Sequence, residues 1–165
     1  ITLFFYNPNI APEEEYLHRK AELKRLVQTM PLSHPVTILD GDYAPERFYA
    51  LAKGLEQEPE RGARCQKCIG HRLEESFRAA AMQAPDFVCT TLTISPHKDA
   101  VFINTRGAEL AEQYGIPWLP TDFKKKGGYQ RSIALSREYD LYRQNFCGCV
   151  YSRLEAERRE QQHNS

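Results

Sequence analysis

The sequence lacks a long apolar run and a net charge, and each absence excludes a class of protein. No stretch approaches the ~20 apolar residues that a membrane-spanning helix requires. The 22 basic and 22 acidic side chains cancel, so no global field attracts a polyanion. Nucleic acid would therefore have to be bound by a local basic patch. We expect a soluble protein that makes no use of a membrane.

A phosphate-binding loop and a disulfide framework are missing as well. An ATP-binding α/β domain is compatible with the rest of the chain, but no Gly-rich phosphate loop supports it. The five cysteines are an odd number, and four of them form two closely spaced pairs. Such spacing is typical of a cytosolic metal or redox site rather than of a secreted disulfide framework, so we expect a cytoplasmic protein.

Predicted strands and helices alternate along the chain. Apolar runs at residues 1–6, 36–39 and 87–94 predict strands, and helices are predicted between them and over residues 105–114 and 132–145. This order favours an α/β fold in which helices cover both faces of a mostly parallel sheet, a three-layer sandwich. We predict one domain over residues 1–152 and a polar tail over residues 153–165. The loops that follow the three strands should converge, because ligands bind at that edge of such sheets.

Cys65 and Cys68 are the residues on which the functional interpretation depends. Three residues apart, they lie within a single helical turn and can face one metal ion or one substrate. The apolar residues Ile69, Leu73 and Phe77 follow at helical spacing, so the two cysteines are expected to open a helix. The dipole at a helix N-terminus favours thiolate over thiol. The pair therefore predicts a metal or redox site.

The other three cysteines divide into a second pair and a single residue. Cys147 and Cys149 are separated by one glycine, and a second close pair strengthens the prediction of metal or redox chemistry. Cys89 lies inside the predicted strand at residues 87–94. We expect it to be a buried apolar residue and not part of a site.

One basic segment is a candidate for binding nucleic acid. It combines four cations with two glycines and an aromatic ring, which are the parts needed to hold a phosphate backbone and stack an unpaired base. A solvated loop would have the same composition, so both interpretations stay open. The cations are Lys124, Lys125, Lys126 and Arg131.

Several longer runs are unusual enough to indicate a family. They are Phe5-Tyr6-Asn7-Pro8-Asn9-Ile10, Lys53-Gly54-Leu55-Glu56, Glu60-Arg61-Gly62, Cys65-x-x-Cys68, Thr90-Thr91-Leu92 with Ile94-Ser95-Pro96, Ser136-Arg137-Glu138, Leu141-Tyr142-Arg143-Gln144 and Cys147-Gly148-Cys149. Together they span almost the whole chain and resemble the QueH family of epoxyqueuosine reductases. The resemblance implies a fold like that of the HUP domains, the adenine-nucleotide-alpha-hydrolase type. It also implies reduction of epoxyqueuosine to queuosine, the last step of queuosine biosynthesis, at the wobble position of tRNA.

The same resemblance implies roles for the two cysteine pairs. Cys65 and Cys68 would be ligands of a 4Fe–4S cluster, and an additional iron ion is compatible with the resemblance. Cys147 and Cys149 would be a redox-active pair. A disulfide in Cys-x-Cys closes a small, strained ring, which suits cycling. The electron donor is not indicated. The family's remaining cluster ligands lie in a Cys-Cys-x-x-Cys segment, and we expect the natural protein to carry it upstream of Ile1.

Two other classes of protein stay open. Four paired cysteines are also the donor set of a structural zinc site in a nucleic-acid-binding module, which would be colourless and redox-inert. A thiol oxidoreductase without metal is the second alternative, and its activity would survive chelation. The absence of a thioredoxin-type sequence around Cys65 counts against it.

Overall fold

The computed structural model describes residues 1–163, which form two compact units. The first unit comprises residues 1–56 and the described residues from 136 to 163, and the second comprises residues 57–135. In chain order the elements are β1 (Thr2–Phe5), α1 (Glu13–Thr29), β2 (Thr37–Asp40), α2 (Pro45–Ala52), α3 (Ala63–Ala81), a 3₁₀ helix (Thr91–Ile94), α4 (Ala100–Tyr114), α5 (Gly128–Glu138) and α6 (Val150–His163). This is an α/β fold.

The first unit is built on two parallel strands. β1 pairs with β2 in a register that sets Thr2 opposite Thr37 and Phe5 opposite Asp40. The connection between parallel strands needs a crossover, which α1 supplies. Three glutamates in the first turn of α1 stabilise the helix through their interaction with the positive end of the helix dipole. Tyr16 is the buried residue of this helix. The loops that follow β1 and β2 meet, because the Gly41 amide donates to Phe5 O at 3.0 Å.

The second unit has its own apolar core, formed where α3 packs on α4. The core consists of Ile69, Leu73, Phe77, Val88, Ile103, Leu110, Ile116 and Trp118. Three of these residues belong to α3 at the spacing of one helical face, as predicted. Trp118 fits closely over α4 because Gly107 has no side chain at the contact. Its indole nitrogen donates to the Asn104 side chain at 3.0 Å, which satisfies the ring's polar atom.

The predicted strand at residues 87–94 is wrong in extent. Only Val88 pairs, in an isolated parallel bridge with Trp118, and residues 91–94 form the 3₁₀ helix. The Thr90 hydroxyl accepts the Leu92 amide, a local cap that competes with strand pairing. Cys89 is exposed, so the prediction that it is a buried apolar residue is also wrong.

The C-terminal region differs from the prediction as well. The helix expected at residues 132–145 begins earlier, at Gly128, and ends at Glu138. An irregular segment, residues 139–149, then connects α5 to α6; we call it the connecting segment. Residues 153–163, expected as a polar tail, continue α6, and most side chains of residues 153–162 are exposed. Residues 164 and 165 lie outside the described residues. No helix in the described part of the chain is both long and apolar enough to cross a membrane.

Candidate redox site

Cys65 and Cys68 lie in the first turns of α3, which begins at Ala63 as the spacing predicted. Both side chains are half-buried. The Glu58 carboxylate accepts the Ala63 amide at 3.0 Å and so occupies one of the unpaired donors at the helix start. A Cβ on Gly62 would approach that carboxylate to 2.5 Å, which explains why a glycine precedes the helix. The thiols are therefore carried by a well-defined helix N-terminus.

Two buried cations lie close to this helix start. Arg64 is 2 % exposed and donates from Nη1 to Glu58 O at 2.5 Å. Lys98 is 8 % exposed and pairs with Glu60 at 3.4 Å. The second contact joins the loop before α3 to the loop after the 3₁₀ helix. Within the second unit, the loop at residues 95–98 thus meets the segment that leads to the cysteines.

Residues 1–163 contain no group of three or more His, Cys, Asp or Glu side chains placed to hold a metal ion. Cys65 and Cys68 are two thiols of the kind that bind soft metals and iron-sulfur clusters. The donor set fits one half of a four-cysteine cluster site in its chemistry.

Cys147 and Cys149 belong to the first unit, where the connecting segment meets α6. Gly148 lies between them with φ of +124°, a conformation that residues with side chains rarely adopt. Its carbonyl accepts the Ala11 amide at 2.9 Å, and a Cβ here would lie 2.8 Å from the Ile10 side chain. The main chain between the cysteines is thus packed against the loop that follows β1.

Cys149 is the residue before the first turn of α6, and it is buried at 6 % exposure. Its Sγ accepts the Ser152 amide at 3.4 Å, in the manner of an N-cap side chain, and lies 3.4 Å from the Ser152 hydroxyl. The hydroxyl in turn donates to Cys149 O at 2.9 Å. Both cysteines are thiols in this structure.

Helix α1 binds the main chain of the connecting segment through charged side chains. Arg19 donates from Nη1 to Cys147 O at 3.0 Å and from Nη2 to Phe146 O at 3.3 Å. Its guanidinium also lies 5.0 Å from the centre of the Phe146 ring and pairs with Glu15 at 2.6 Å. Sequence analysis missed Arg19, because this contact joins residues far apart in the chain. The only local signal is the pair of opposite charges four residues apart on a helix.

The other end of the connecting segment is held in the same way. Arg25 donates to Tyr139 O at 2.9 Å and to Asp140 O at 2.8 Å, and it pairs with Glu22 at 2.9 Å. Glu22 also accepts the Tyr142 amide at 2.8 Å. These contacts lower the pKa of Glu22 to about 2; the hydrogen bond from Arg25 is the largest cause and the Tyr142 amide the next.

A buried amide oxygen lies near this site. Asn9 is 2 % exposed, and its buried Oδ1 accepts no hydrogen bond from any of residues 1–163. It belongs to the loop after β1 whose next residues, Ile10 and Ala11, contact Gly148. A buried amide oxygen left without a donor is costly and uncommon in folded proteins.

The predicted basic segment is partly neutralised within the second unit. Asp122 pairs with Lys124 at 2.9 Å and with Lys125 at 3.2 Å, and the hydrogen bond from Lys124, followed by that from Lys125, lowers the pKa of Asp122. Lys125 and Lys126 are exposed, whereas Lys124 is half-buried. Arg131 is exposed on α5 rather than in a loop.

The fold and these residues define a class: an α/β protein with one cysteine pair at the start of a helix and another directly before a helix. Comparison with known proteins gives the family. The family model described as epoxyqueuosine reductase QueH matches residues 1–155, and the chain belongs to this family.

Individual relatives agree with the family match. The chain is 40 % identical over 154 residues to the epoxyqueuosine reductase QueH of Streptococcus pyogenes, which covers 92 % of this chain and 60 % of that protein. It is 38 % identical over 158 residues to the protein of the same name from Staphylococcus epidermidis, with 93 % and 66 % covered. The Thermotoga maritima QueH is 36 % identical over 155 residues, which cover 92 % of this chain and 79 % of that protein. The chain thus spans about three fifths of the Streptococcus relative.

Proposed function

We propose that the chain is the catalytic part of an epoxyqueuosine reductase, which converts epoxyqueuosine at the wobble position of tRNA to queuosine. The observation that carries the proposal is the family match over residues 1–155, a range that includes both cysteine pairs. Each pair lies at the N-terminal end of a helix. Thiols are the protein ligands of iron-sulfur clusters and the groups that exchange electrons through disulfides.

The reaction is a two-electron reduction. Removing the epoxide oxygen to leave an alkene consumes two electrons and two protons and releases water. Among ordinary side chains a pair of thiols is the group that supplies this, because a dithiol loses two electrons and two protons as it closes to a disulfide. We assign this role to Cys147 and Cys149. An external donor of two electrons and two protons then restores the dithiol.

A 4Fe–4S cluster is the proposed cofactor, and Cys65 and Cys68 are proposed as two of its ligands. Their thiol chemistry fits, and they account for half of a four-cysteine set. When bound, such a cluster would supply one-electron transfer and an iron that acts as a Lewis acid. An additional iron ion belongs to the same proposal. Cys65 and Cys68 themselves would hold the metal as thiolates, and α3 would keep them at fixed spacing.

The proposed partner is tRNA that carries epoxyqueuosine, a substrate that places the enzyme in the cytoplasm. We propose that Lys124, Lys125, Lys126 and Arg131 contact its phosphates, because cations close together in the chain provide sequence-independent affinity for a polyanion. All of them except the half-buried Lys124 are exposed. For the fold, we propose a HUP-like three-layer sandwich with a mostly parallel sheet. The parallel pairing of β1 with β2 is compatible with it.

The division of roles between the two cysteine pairs is tested by substitution. Cys65→Ala and Cys68→Ala should each remove most of the iron and sulfide from protein purified without air. Cys147→Ser and Cys149→Ser should leave iron and sulfide nearly unchanged and abolish conversion of epoxyqueuosine in tRNA. Cys89→Ser is the matched control, since Cys89 has neither proposed role. It should retain both metal and turnover.

The alternative classes give different results in the same experiment. A structural zinc module would yield colourless protein whose zinc is lost in all four variants. A thiol oxidoreductase without metal would contain no iron and would keep its activity after chelation. Loss of iron in Cys147→Ser would show that the second pair also binds metal.

A further inference from the structure

Arg19 contacts the main chain of the proposed redox pair from a different part of the chain. Its two terminal nitrogens donate to consecutive carbonyls, those of Phe146 and Cys147. Its Nε is engaged by Glu15 at 2.6 Å, which fixes the orientation of the planar guanidinium. The side chain is 11 % exposed, so these charge-assisted contacts are shielded from solvent and stronger than surface ones.

Arg19 and Ala11 together restrain the main chain of Cys147 and Gly148, the first two residues of the Cys-Gly-Cys turn. Arg19 holds Cys147 O, and the Ala11 amide holds the next carbonyl, Gly148 O, at 2.9 Å. On the other side of the turn, the Ser152 amide holds Cys149 in place directly before the first turn of α6. A short disulfide ring closes only from a narrow range of main-chain conformations. Restraining that main chain beforehand lowers the entropy lost on closure.

We infer that Arg19 is a positioning residue for the Cys147–Cys149 pair, which fixes the main chain so that the two thiols close to a disulfide at lower conformational cost. The inference rests on the proposed redox role of this pair. Arg19 itself takes no part in electron transfer, and it acts only through the carbonyls that it holds.

Arg25 provides a matched control on the same helix. It also donates to two consecutive carbonyls of the connecting segment, those of Tyr139 and Asp140, and it also pairs with a glutamate of α1. Its contacts lie at the opposite end of that segment from the cysteines. A substitution of Arg25 therefore loosens the opposite end of the connecting segment without releasing Cys147.

The test is the equilibrium of the pair with glutathione. In this exchange oxidised glutathione takes two electrons and two protons from the dithiol and leaves as two reduced glutathione molecules. After quenching and alkylation, trypsin cleaves after Arg143 and Arg153 and releases residues 144–153, whose two cysteines are Cys147 and Cys149. Mass spectrometry of this peptide gives the fraction of closed disulfide directly, without any measurement of enzyme activity.

For Arg19→Gln we expect the equilibrium constant for closing the disulfide to fall about tenfold, because closure then has to fix the main chain of one more residue, Cys147. Arg25→Gln should change it by less than about twofold, within the ordinary effect of a distant substitution. Arg19→Lys keeps the positive charge and the pairing with Glu15 but offers a single-point donor, so its constant should fall between the two. Far-UV circular dichroism shows whether each variant is folded. If Arg19→Gln is not folded, the comparison of Arg19→Lys with Arg25→Gln tests the inference instead.

Two results would overturn the inference in different ways. Equal changes in Arg19→Gln and Arg25→Gln, or no change in either, would show that Arg19 only stabilises the fold, while the proposed function would stand. If the parent protein forms no Cys147–Cys149 disulfide at any glutathione ratio, the redox role of the pair is wrong and the inference falls with it.

Discussion

At the scale of single residues, Gly148 determines how the two cysteines are presented. Its φ of +124° and its contact with Ile10 leave no room for a side chain. Gly54 also has a positive φ, of +78°, but among the described residues nothing lies within 4 Å of the position that its Cβ would take. Gly148 thus combines backbone strain with a steric clash, whereas Gly54 has the strain of a positive φ alone.

Gly148→Ala should reduce the free energy of unfolding by about 3 kcal/mol, because backbone strain and overpacking add. Gly54→Ala should cost only about 1 kcal/mol, since it introduces strain alone. Urea denaturation of both variants and the parent measures the difference. Equal losses in the two variants would contradict the close packing of Ile10 against Gly148.

At the scale of elements, α1 and the connecting segment form one structural unit. Without regular hydrogen bonding of its own, this segment is held by Arg19, Glu22 and Arg25. This also explains why the predicted helix at residues 132–145 ends at Glu138. Side chains of α1 satisfy main-chain groups of residues 139–147 that a longer α5 would have used, and sequence periodicity carries no information on such distant partners.

The low pKa of Glu22, about 2, makes this contact sensitive to acid. Its carboxylate is more acidic in the folded protein than in the unfolded chain, where a glutamate titrates near ~4.3. The stabilisation is therefore complete above about pH 5 and is lost as the pH falls towards 2. Glu22→Gln should be less stable than the parent at pH 7, and the difference should shrink to near zero at pH 2.

Urea midpoints measured between pH 7 and pH 2 test this prediction. Glu109→Gln is the control, because Glu109 pairs only with Arg106 on the surface of α4 and is 56 % exposed. Exposed pairs of this kind contribute little to stability. A difference between Glu22→Gln and the parent that persists unchanged to pH 2 would contradict the role of the carboxylate.

The basic segment before α5 gives a prediction on tRNA affinity. Replacing Lys124, Lys125 and Lys126 together by Gln should weaken binding equally for modified and unmodified tRNA, because phosphate contacts do not read the base. The slope of log affinity against log salt should flatten by about 2 units, at a little under one unit per contact, since Asp122 and the Lys98 carbonyl already hold half-buried Lys124.

A second set of lysines controls for the loss of charge alone. Lys20 and Lys24 share Asp40 at 3.0 and 3.4 Å, much as Lys124 and Lys125 share Asp122. Their double replacement by Gln should leave the salt slope within about half a unit of the parent value, as it removes no phosphate contact. An unchanged slope in the triple variant would place the tRNA elsewhere on the protein.

At the scale of the whole molecule, local signals predicted local structure well. The period of Ile69, Leu73 and Phe77 predicted α3 with its buried face and its start near Cys65. The alternation of elements predicted the parallel pairing of β1 with β2. The prediction of a strand at residues 87–94 was wrong because the β-propensity of its β-branched residues depends on their surroundings. Here these residues form a capped 3₁₀ turn, in which the buried Thr93 hydroxyl hydrogen-bonds to that of Thr121 at 3.0 Å.

Of the residues in the candidate site, only the chemically reactive cysteines could be predicted from the sequence. Spacing identified the two cysteine pairs, since the chemistry of a thiol pair depends on residues close in sequence. Arg19 and Ser152 were not predicted as parts of the site. Their importance arises from packing between distant segments, and one sequence does not encode such contacts in any local pattern.

The measurement that tests the central claim most directly is conversion of the modified base. Protein purified without air is incubated with a reductant and tRNA that contains epoxyqueuosine, and the nucleosides are then analysed by mass spectrometry. We predict that the wobble nucleoside loses one oxygen atom and becomes queuosine, and that Cys147→Ser abolishes this change. Epoxyqueuosine that remains intact, while the Thermotoga maritima relative converts it in the same assay, would contradict the account.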